Sequence, residues 1–276
     1  MKIAVLSGKG GTGKTFISTN LAITANKCTY IDCDVEEPNG NLFFKTQNII
    51  EENVNILLPK IDLEKCIRCR KCVDFCKFNA MAFINNKPKI FNNICHSCGA
   101  CKIICDKNAI TEYEYRIGKI KQSKYKDINI YSGELDIGET RGIPIIKELL
   151  KKTSKEELNI IDCPPGTACS VVESIQDVDY CLIVAEPTIF GKSNFEMVYE
   201  LVKLLKKPFG VIINKYIDEN NPMEEYLKNN NNIPIISKIP FDSKIANLTS
   251  KGLIASKEDE NLRNKFKQIL LEVGGV

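Results

Sequence analysis

The chain has 276 residues, enough for one large domain or one domain carrying a small module. Hydrophobic residues make up 43%, which supports a sizeable core, while a formal charge of +3 spread along the sequence gives no footing for nucleic acid. No apolar stretch approaches bilayer length, and Lys2–Ser7 is too short a run to be a signal peptide, so a cytoplasmic protein with no membrane partner is expected.

Ile3–Leu6 is the first of several apolar, β-branched runs; the others are Thr29–Ile31, Ile160–Ile161, Tyr180–Ala185, Gly210–Ile213 and Ile235–Ile239. Several are followed by helical periodicity, as in Asn194–Leu205 with Phe195, Val198, Leu201, Val202 and Leu205 on one face. Buried strands alternating with helices predict an α/β fold with a mainly parallel sheet.

The first strand leads into Gly8, Lys9, Gly10, Gly11, Thr12, Gly13, Lys14 and Thr15, which satisfy the phosphate-loop pattern GxxxxGK[ST]. Glycines let successive backbone N–H groups turn inward around phosphate oxygens, and the following helix adds its positive end. The pattern makes ATP with Mg²⁺ the expected ligand, Lys14 facing the β and γ phosphates and Thr15 on the metal. Lys9 is a second lysine that a phosphate loop does not need. With it the loop resembles the MinD/Mrp family of deviant-Walker ATPases, whose loop reads KGGxGK[ST]. The resemblance implies ATP hydrolysis, a nucleotide-dependent homodimer, and a Lys9 that reaches across the interface to the partner's nucleotide. The alternative for Lys9 is a solvated lysine at a loop tip.

Tyr30-Ile31-Asp32-Cys33-Asp34 resembles the segment that supplies the family's switch aspartates, implying that Asp34 orients the attacking water and that Asp32 lies on the Mg²⁺ side. The next stretch, from about Ile61 to Ile117, breaks the strand–helix rhythm and holds eight of the thirteen cysteines. Cys66, Cys69, Cys72 and Cys76 are spaced C-x₂-C-x₂-C-x₃-C, and Cys95, Cys98, Cys101 and Cys105 repeat that spacing at a constant offset of 29 residues. This is the pattern of bacterial two-cluster ferredoxins, in which the fourth cysteine of each run ligates the other cluster. One [4Fe-4S] cluster is then expected on Cys66, Cys69, Cys72 and Cys105, the second on Cys95, Cys98, Cys101 and Cys76. The usual proline after each run is replaced by Lys77 and Asp106. The rival reading is a pair of zinc sites. His96 is expected to be a loop residue near the second site.

Further along, Asn159–Thr167 resembles the Mrp form of Walker B and switch II, with Asp162 the candidate for holding Mg²⁺ through water. Ile212-Ile213-Asn214-Lys215 ends a strand where the family uses an asparagine to read adenine, although such an asparagine is also a common turn residue. Ile239-Pro240-Phe241-Asp242 resembles a loop that closes over the base. Cys33, Cys163 and Cys181 are read as small apolar residues of buried strands. Cys163 and Cys169 flank switch II, where a redox role is the alternative. Asn229–Asn232 reads as a solvated loop.

The expected organisation is a P-loop ATPase domain over 1–60 and 118–276, interrupted by a small α+β, bacterial-ferredoxin-like insertion over 61–117. The resemblance covers residues 1 to about 60 and about 118 to 270. It departs from cluster carriers of the Mrp type, which have a late CxxC pair, because no cysteine follows Cys181. The expected function is ATP-gated electron transfer or metallocofactor maturation for a client redox protein or metalloprotein. The alternatives are an iron–sulfur carrier and a MinD-like positioning ATPase. The short, weakly charged Gln268–Val276 segment speaks against the last.

Overall fold

The computed structural model describes residues 1–218, 220–230 and 233–274. Asn231 and Asn232 of the asparagine tract, and Gly275 and Val276 of the C-terminal segment, lie outside the described residues. The strands are β1 Lys2–Leu6, β2 Lys27–Asp32, β3 Ile50–Ile61, β4 Met81–Ile84, β5 Lys87–Ile90, β6 Ile110–Tyr125, β7 Asp127–Leu135, β8 Asn159–Asp162, β9 Tyr180–Ala185, β10 Phe209–Tyr216 and β11 Ile235–Pro240.

Nine of them form one sheet in the order β11-β10-β9-β1-β8-β2-β7-β6-β3. Pairing is parallel from β11 through β7 and antiparallel for β7 with β6 and β6 with β3. The parallel strands are buried on both faces, which is why they read as continuous apolar runs. Successive side chains serve opposite cores: Ile3 and Val5 of β1 join one with Ile17 and Phe266, while Ala4 and Leu6 join the other with Ile145, Val171 and Phe195. Helices Lys14–Ala25 and Glu260–Glu272 cover the first face; Ile143–Leu150, Cys169–Ile175 and Ile189–Leu204 cover the second. The last begins five residues before the predicted Asn194, because the Thr188 hydroxyl caps it by accepting from the Gly191 N–H at 2.9 Å. No described helix is long and apolar enough to cross a membrane.

Residues 62–109 fold as two copies of one unit, and the 29-residue offset of the cysteines recurs in the backbone. The short helices Lys71–Phe75 and Ala100–Ile103 each follow a left-handed residue, Arg70 (φ 64°) and Gly99 (φ 72°). Left-handed Arg68 and Asn79 correspond in the same way to left-handed Ser97 and Asn108. The Asp62 N–H donates to the Ala109 carbonyl, and its counterpart Phe91 N–H to the Ala80 carbonyl, each at 2.8 Å. The pairing Met81↔Ile90 of β4 with β5 is matched by Ile110↔Ile61 of β6 with β3. The two units therefore clasp each other about an approximate two-fold axis. One of the two strand pairs is the end of the β3–β6 ribbon, so the cysteine-bearing segment grows directly from the edge of the main sheet. β6 runs unbroken through residue 117.

Candidate functional site

The strand–loop–helix junction at the C-terminal end of β1 frames a cavity of about 1090 Å³. Gly10, Gly11, Gly13, Lys14 and Thr15 line it on one side. Gly13 adopts φ +103°, and a Cβ there would stand 2.2 Å from the Asn214 Nδ2, so only glycine fits. The Lys9 carbonyl is turned inward, accepting from the hydroxyls of Ser7 at 2.7 Å and Thr12 at 3.1 Å. The loop is braced from behind: Asn214 donates to the Thr12 carbonyl and Lys215 to the Gly11 carbonyl, both at 2.8 Å.

The carboxylates divide into distinct roles. Asp32 at the end of β2 accepts from the Asp34 N–H at 3.1 Å and the Gly40 N–H at 2.8 Å, so both of its oxygens shape the 33–40 loop. Asp162, beside it on β8, accepts at Oδ2 from Ser18 (3.0 Å) and Tyr30 (3.1 Å). Its Oδ1 is buried with no hydrogen-bond partner among the described residues. Burial, with the charge of Asp162 beside it, raises Asp32 well above the ordinary carboxylate range. Burial raises Asp162 too, opposed by Lys14 and the hydroxyl donors. Asp34 lines the cavity and is pushed up to about 6, mainly by burial, with the Lys14 ammonium pulling the other way. The pocket thus joins a buried lysine and a half-buried carboxyl, with the unsatisfied Asp162 oxygen buried outside its lining, an arrangement fitted to phosphate with a divalent cation.

Lys9 does not face the cavity. Its Nζ lies 2.8 Å from Glu186, just beyond β9, and the same carboxylate pairs with Lys215 at 2.5 Å. Burial would raise Glu186, but the two ammonium groups prevail and hold it below its ordinary value. Glu186 carried no signal in the sequence beyond being an acid after a strand. Asn214 and Pro240 do not line the cavity; Asn214 sits beneath the phosphate loop, and Pro240 is exposed at the end of β11. Thr249, Ser250 and Gly252, which no motif announced, line the cavity instead.

The eight cysteines of the repeat surround two smaller cavities. Cys66, Cys69, Cys72 and Cys105 line one of about 120 Å³. Cys76, Cys95, Cys98 and Cys101 line the other, of about 70 Å³, together with Cys72. The fourth cysteine of each run thus stands with the first three of the other. No three His, Cys, Asp or Glu groups among the described residues gather tightly enough to share one metal ion. His96 lines the second cavity and stacks on Phe78 with ring centroids 3.9 Å apart. The remaining cysteines are different: burial pushes Cys28 and Cys181 up to about 12 and raises Cys33 and Cys163 as well, disfavouring their thiolates. Cys169 is exposed at the nucleotide-sized cavity.

Comparison with known proteins adds three findings. The CobQ/CobB/MinD/ParA nucleotide-binding domain matches residues 3–255. An uncharacterized protein of Methanocaldococcus jannaschii is 33% identical over 275 residues, covering 98% of this chain and 96% of that one; an iron-sulfur cluster carrier protein of the same organism is 23% identical over 299 residues, covering 99% and 85%. The septum site-determining protein MinD of Pyrococcus horikoshii, solved with Mg-ADP, has a TM-score of 0.59 at 20% identity, covering 99% of this chain and 95% of that one, a likeness of fold.

Gly13→Ala forces a strained loop against Asn214. Strain of about 1–3 kcal/mol should weaken ADP binding by roughly 5- to 150-fold in calorimetric titration. Affinity equal to wild type would mean that the loop does not hold phosphate.

Proposed function

The chain belongs to the CobQ/CobB/MinD/ParA nucleotide-binding family, and from that premise we propose that it is a cytoplasmic ATP-hydrolysing iron–sulfur protein whose nucleotide cycle gates electron transfer to, or maturation of, a client metalloprotein. The observation that carries the proposal is the sharing of one sheet by a phosphate loop and two cysteine-lined cavities.

On the ATPase side, the Gly10–Thr15 backbone would wrap the phosphates and Lys14 would neutralise them. Mg²⁺ would be held by Thr15 and, through water, by the unsatisfied Oδ1 of Asp162. Asp34 is the one switch carboxylate that opens on the cavity, which suits it to hold a water for attack on the terminal phosphate. Asp32 would act indirectly, by fixing the loop that carries Asp34. Lys9 would leave Glu186 for the nucleotide of a second subunit, so that a homodimer forms around ATP. Asn214 would support the loop from beneath, and Pro240 would stand outside the base contact.

On the cysteine side, we assign residues 61–117 as a ferredoxin-like insertion between ATPase segments 1–60 and 118–276. The chemistry of the donor set fits two [4Fe-4S] clusters: around each cavity stand the first three thiols of one run and the fourth of the other, with Cys72 also beside the second. Such clusters, when bound, exchange single electrons. Cys69 and Cys98, equivalent in the repeat, are the exposed ligands and mark where each centre would meet a partner. A second reading, a carrier of whole clusters, is favoured by the carrier protein of Methanocaldococcus jannaschii. Full four-cysteine ligation and the lack of a late CxxC pair favour retained centres.

Anaerobically purified protein should contain about eight iron and eight acid-labile sulfide per chain; stoichiometric zinc without sulfide would overturn the cluster assignment. On the ATPase side, Lys9→Ala should keep single-subunit ATP affinity, abolish dimerisation with a non-hydrolysable analogue in ultracentrifugation, and slow hydrolysis by roughly 10³-fold. Asp34→Ala should bind ATP without hydrolysing it. Mixing the two variants should restore partial activity, since one site then has Asp34 intact and receives Lys9 from its neighbour. No rescue, with an unaltered dimer in Lys9→Ala, would reduce Lys9 to the partner of Glu186.

A further inference from the structure

The loop 136–142, between β7 and the helix Ile143–Leu150, touches two sites at once. Thr140, Gly142 and Ile143 line the nucleotide cavity. Arg141, among them, turns the other way and donates from Nη1 to the carbonyls of Asn92 at 2.8 Å and Cys95 at 3.2 Å. Cys95 lines the second cysteine cavity and packs against the core on this face of the sheet.

The arginine is firmly held. Its Nε donates to Glu139 at 2.7 Å, and its Nη2 to the other oxygen of the same carboxylate. Glu139 also accepts from the N–H groups of Thr140 at 2.8 Å and Arg141 at 3.0 Å. The Tyr115 ring lies under the guanidinium at 5.5 Å. The side chains of Arg141 and Glu139 are only 14% and 7% exposed, unlike the solvated ion pairs elsewhere on the surface. A bidentate, shielded pair fixes direction as well as charge.

The nucleotide end is tied as tightly. Val35, next to Asp34, gives its carbonyl to the Leu135 N–H at 3.0 Å. Its Cγ2 would stand 2.8 Å from a Cβ on Gly142, and its Cγ1 2.7 Å from one on Gly133. At the base of the loop the Asp136 N–H donates to the Ile117 carbonyl at 2.9 Å. Segment 34–37 therefore cannot shift without pressing on the loop that carries Arg141, because packing of this kind transmits displacement rather than absorbing it.

We propose that Arg141 is a positioning residue that couples the nucleotide cavity to the second cysteine cavity, carrying movement of the Asp34–Glu37 segment, through Val35 and Gly142, to the Cys95 backbone. The proposal rests on the reading that the cavities take nucleotide and a [4Fe-4S] cluster. Positive charge and hydrogen bonding around a cluster's ligands set its reduction potential, so a guanidinium that moves with nucleotide state alters that potential. Linkage then requires cluster reduction to alter nucleotide affinity by the same factor.

The test uses the full-length protein, purified anaerobically, with ADP and a non-hydrolysable ATP analogue as probes. Midpoint potentials of both clusters are measured by EPR-monitored redox titration, and nucleotide affinity is measured in the oxidised and reduced states. An affinity difference of about tenfold between redox states should accompany a shift of about 59 mV in the Cys95-side cluster, with no shift in the other. Arg141→Met should abolish the shift while leaving oxidised-state ADP affinity within about threefold of wild type. Arg141→Lys, which keeps the charge and loses the fork, should lose the shift; it decides the matter if Arg141→Met does not fold. A loaded wild type with unshifted potential, or a shift that survives in either variant, overturns the coupling. A wild type lacking iron and sulfide, or failing to bind ADP, overturns the underlying reading and the coupling with it.

Discussion

Between residues 62 and 110 the chain buries only Ala80, Met81, Pro88, Ala109 and Ile110. So little apolar burial cannot offset the entropy of ordering nearly fifty residues. Order there depends on two other things: the β3–β6 ribbon, which ties the ends of the segment to the main sheet, and whatever the eight thiols enclose. A pair of clusters bridging the two repeats would supply the missing centre, much as structural metals do in other small domains. The crossed arrangement of the cysteines matters for this reason, since each cluster would tie one repeat to the other.

The middle of the sheet, where β1, β8 and β2 end, is organised by polar burial. Ser18, Tyr30, Asp32 and Asp162 pack behind the phosphate loop with almost every hydrogen-bonding atom used, leaving Asp162 Oδ1 as the exception. Such networks are rigid when satisfied. An unsatisfied carboxylate oxygen in the middle of one is where the proposed cation would complete it. Glu186 plays a related part at the rim, where it holds Lys9 beside Lys215 within the same subunit. The phosphate-loop cavity and the cysteine segment meet at the 136–142 loop.

Much of this was legible before any coordinates. The parallel strands are buried on both faces and so read as apolar runs, and the phosphate loop and the cysteine repeat are fixed by spacing. What escaped detection did so for physical reasons. β3 opens with exposed Glu51, Glu52 and Asn53, because it lies at the sheet edge and half of it faces water. β7 alternates Ile128 and Ile130 with the half-buried Asn129 and Tyr131, a weaker signal than an unbroken run. Glu186, Arg141, Thr249 and Gly252 acquire their places only through tertiary contacts, and no local pattern encodes those. Asn214 was visible as a strand-end asparagine, but the structure shows its amide turned to the phosphate loop.

The central claim is that one rigid sheet would carry a nucleotide at its middle strands and two iron–sulfur centres at its β3–β6 edge. Anomalous diffraction at the iron edge, from anaerobic crystals grown with Mg²⁺ and ADP, tests it most directly. The account predicts two compact iron peaks per chain, one enclosed by Cys66, Cys69, Cys72 and Cys105 and one by Cys76, Cys95, Cys98 and Cys101, with ADP on the Gly10–Thr15 loop. Peaks at the zinc edge alone, or iron bridging two chains in place of these cavities, would contradict it.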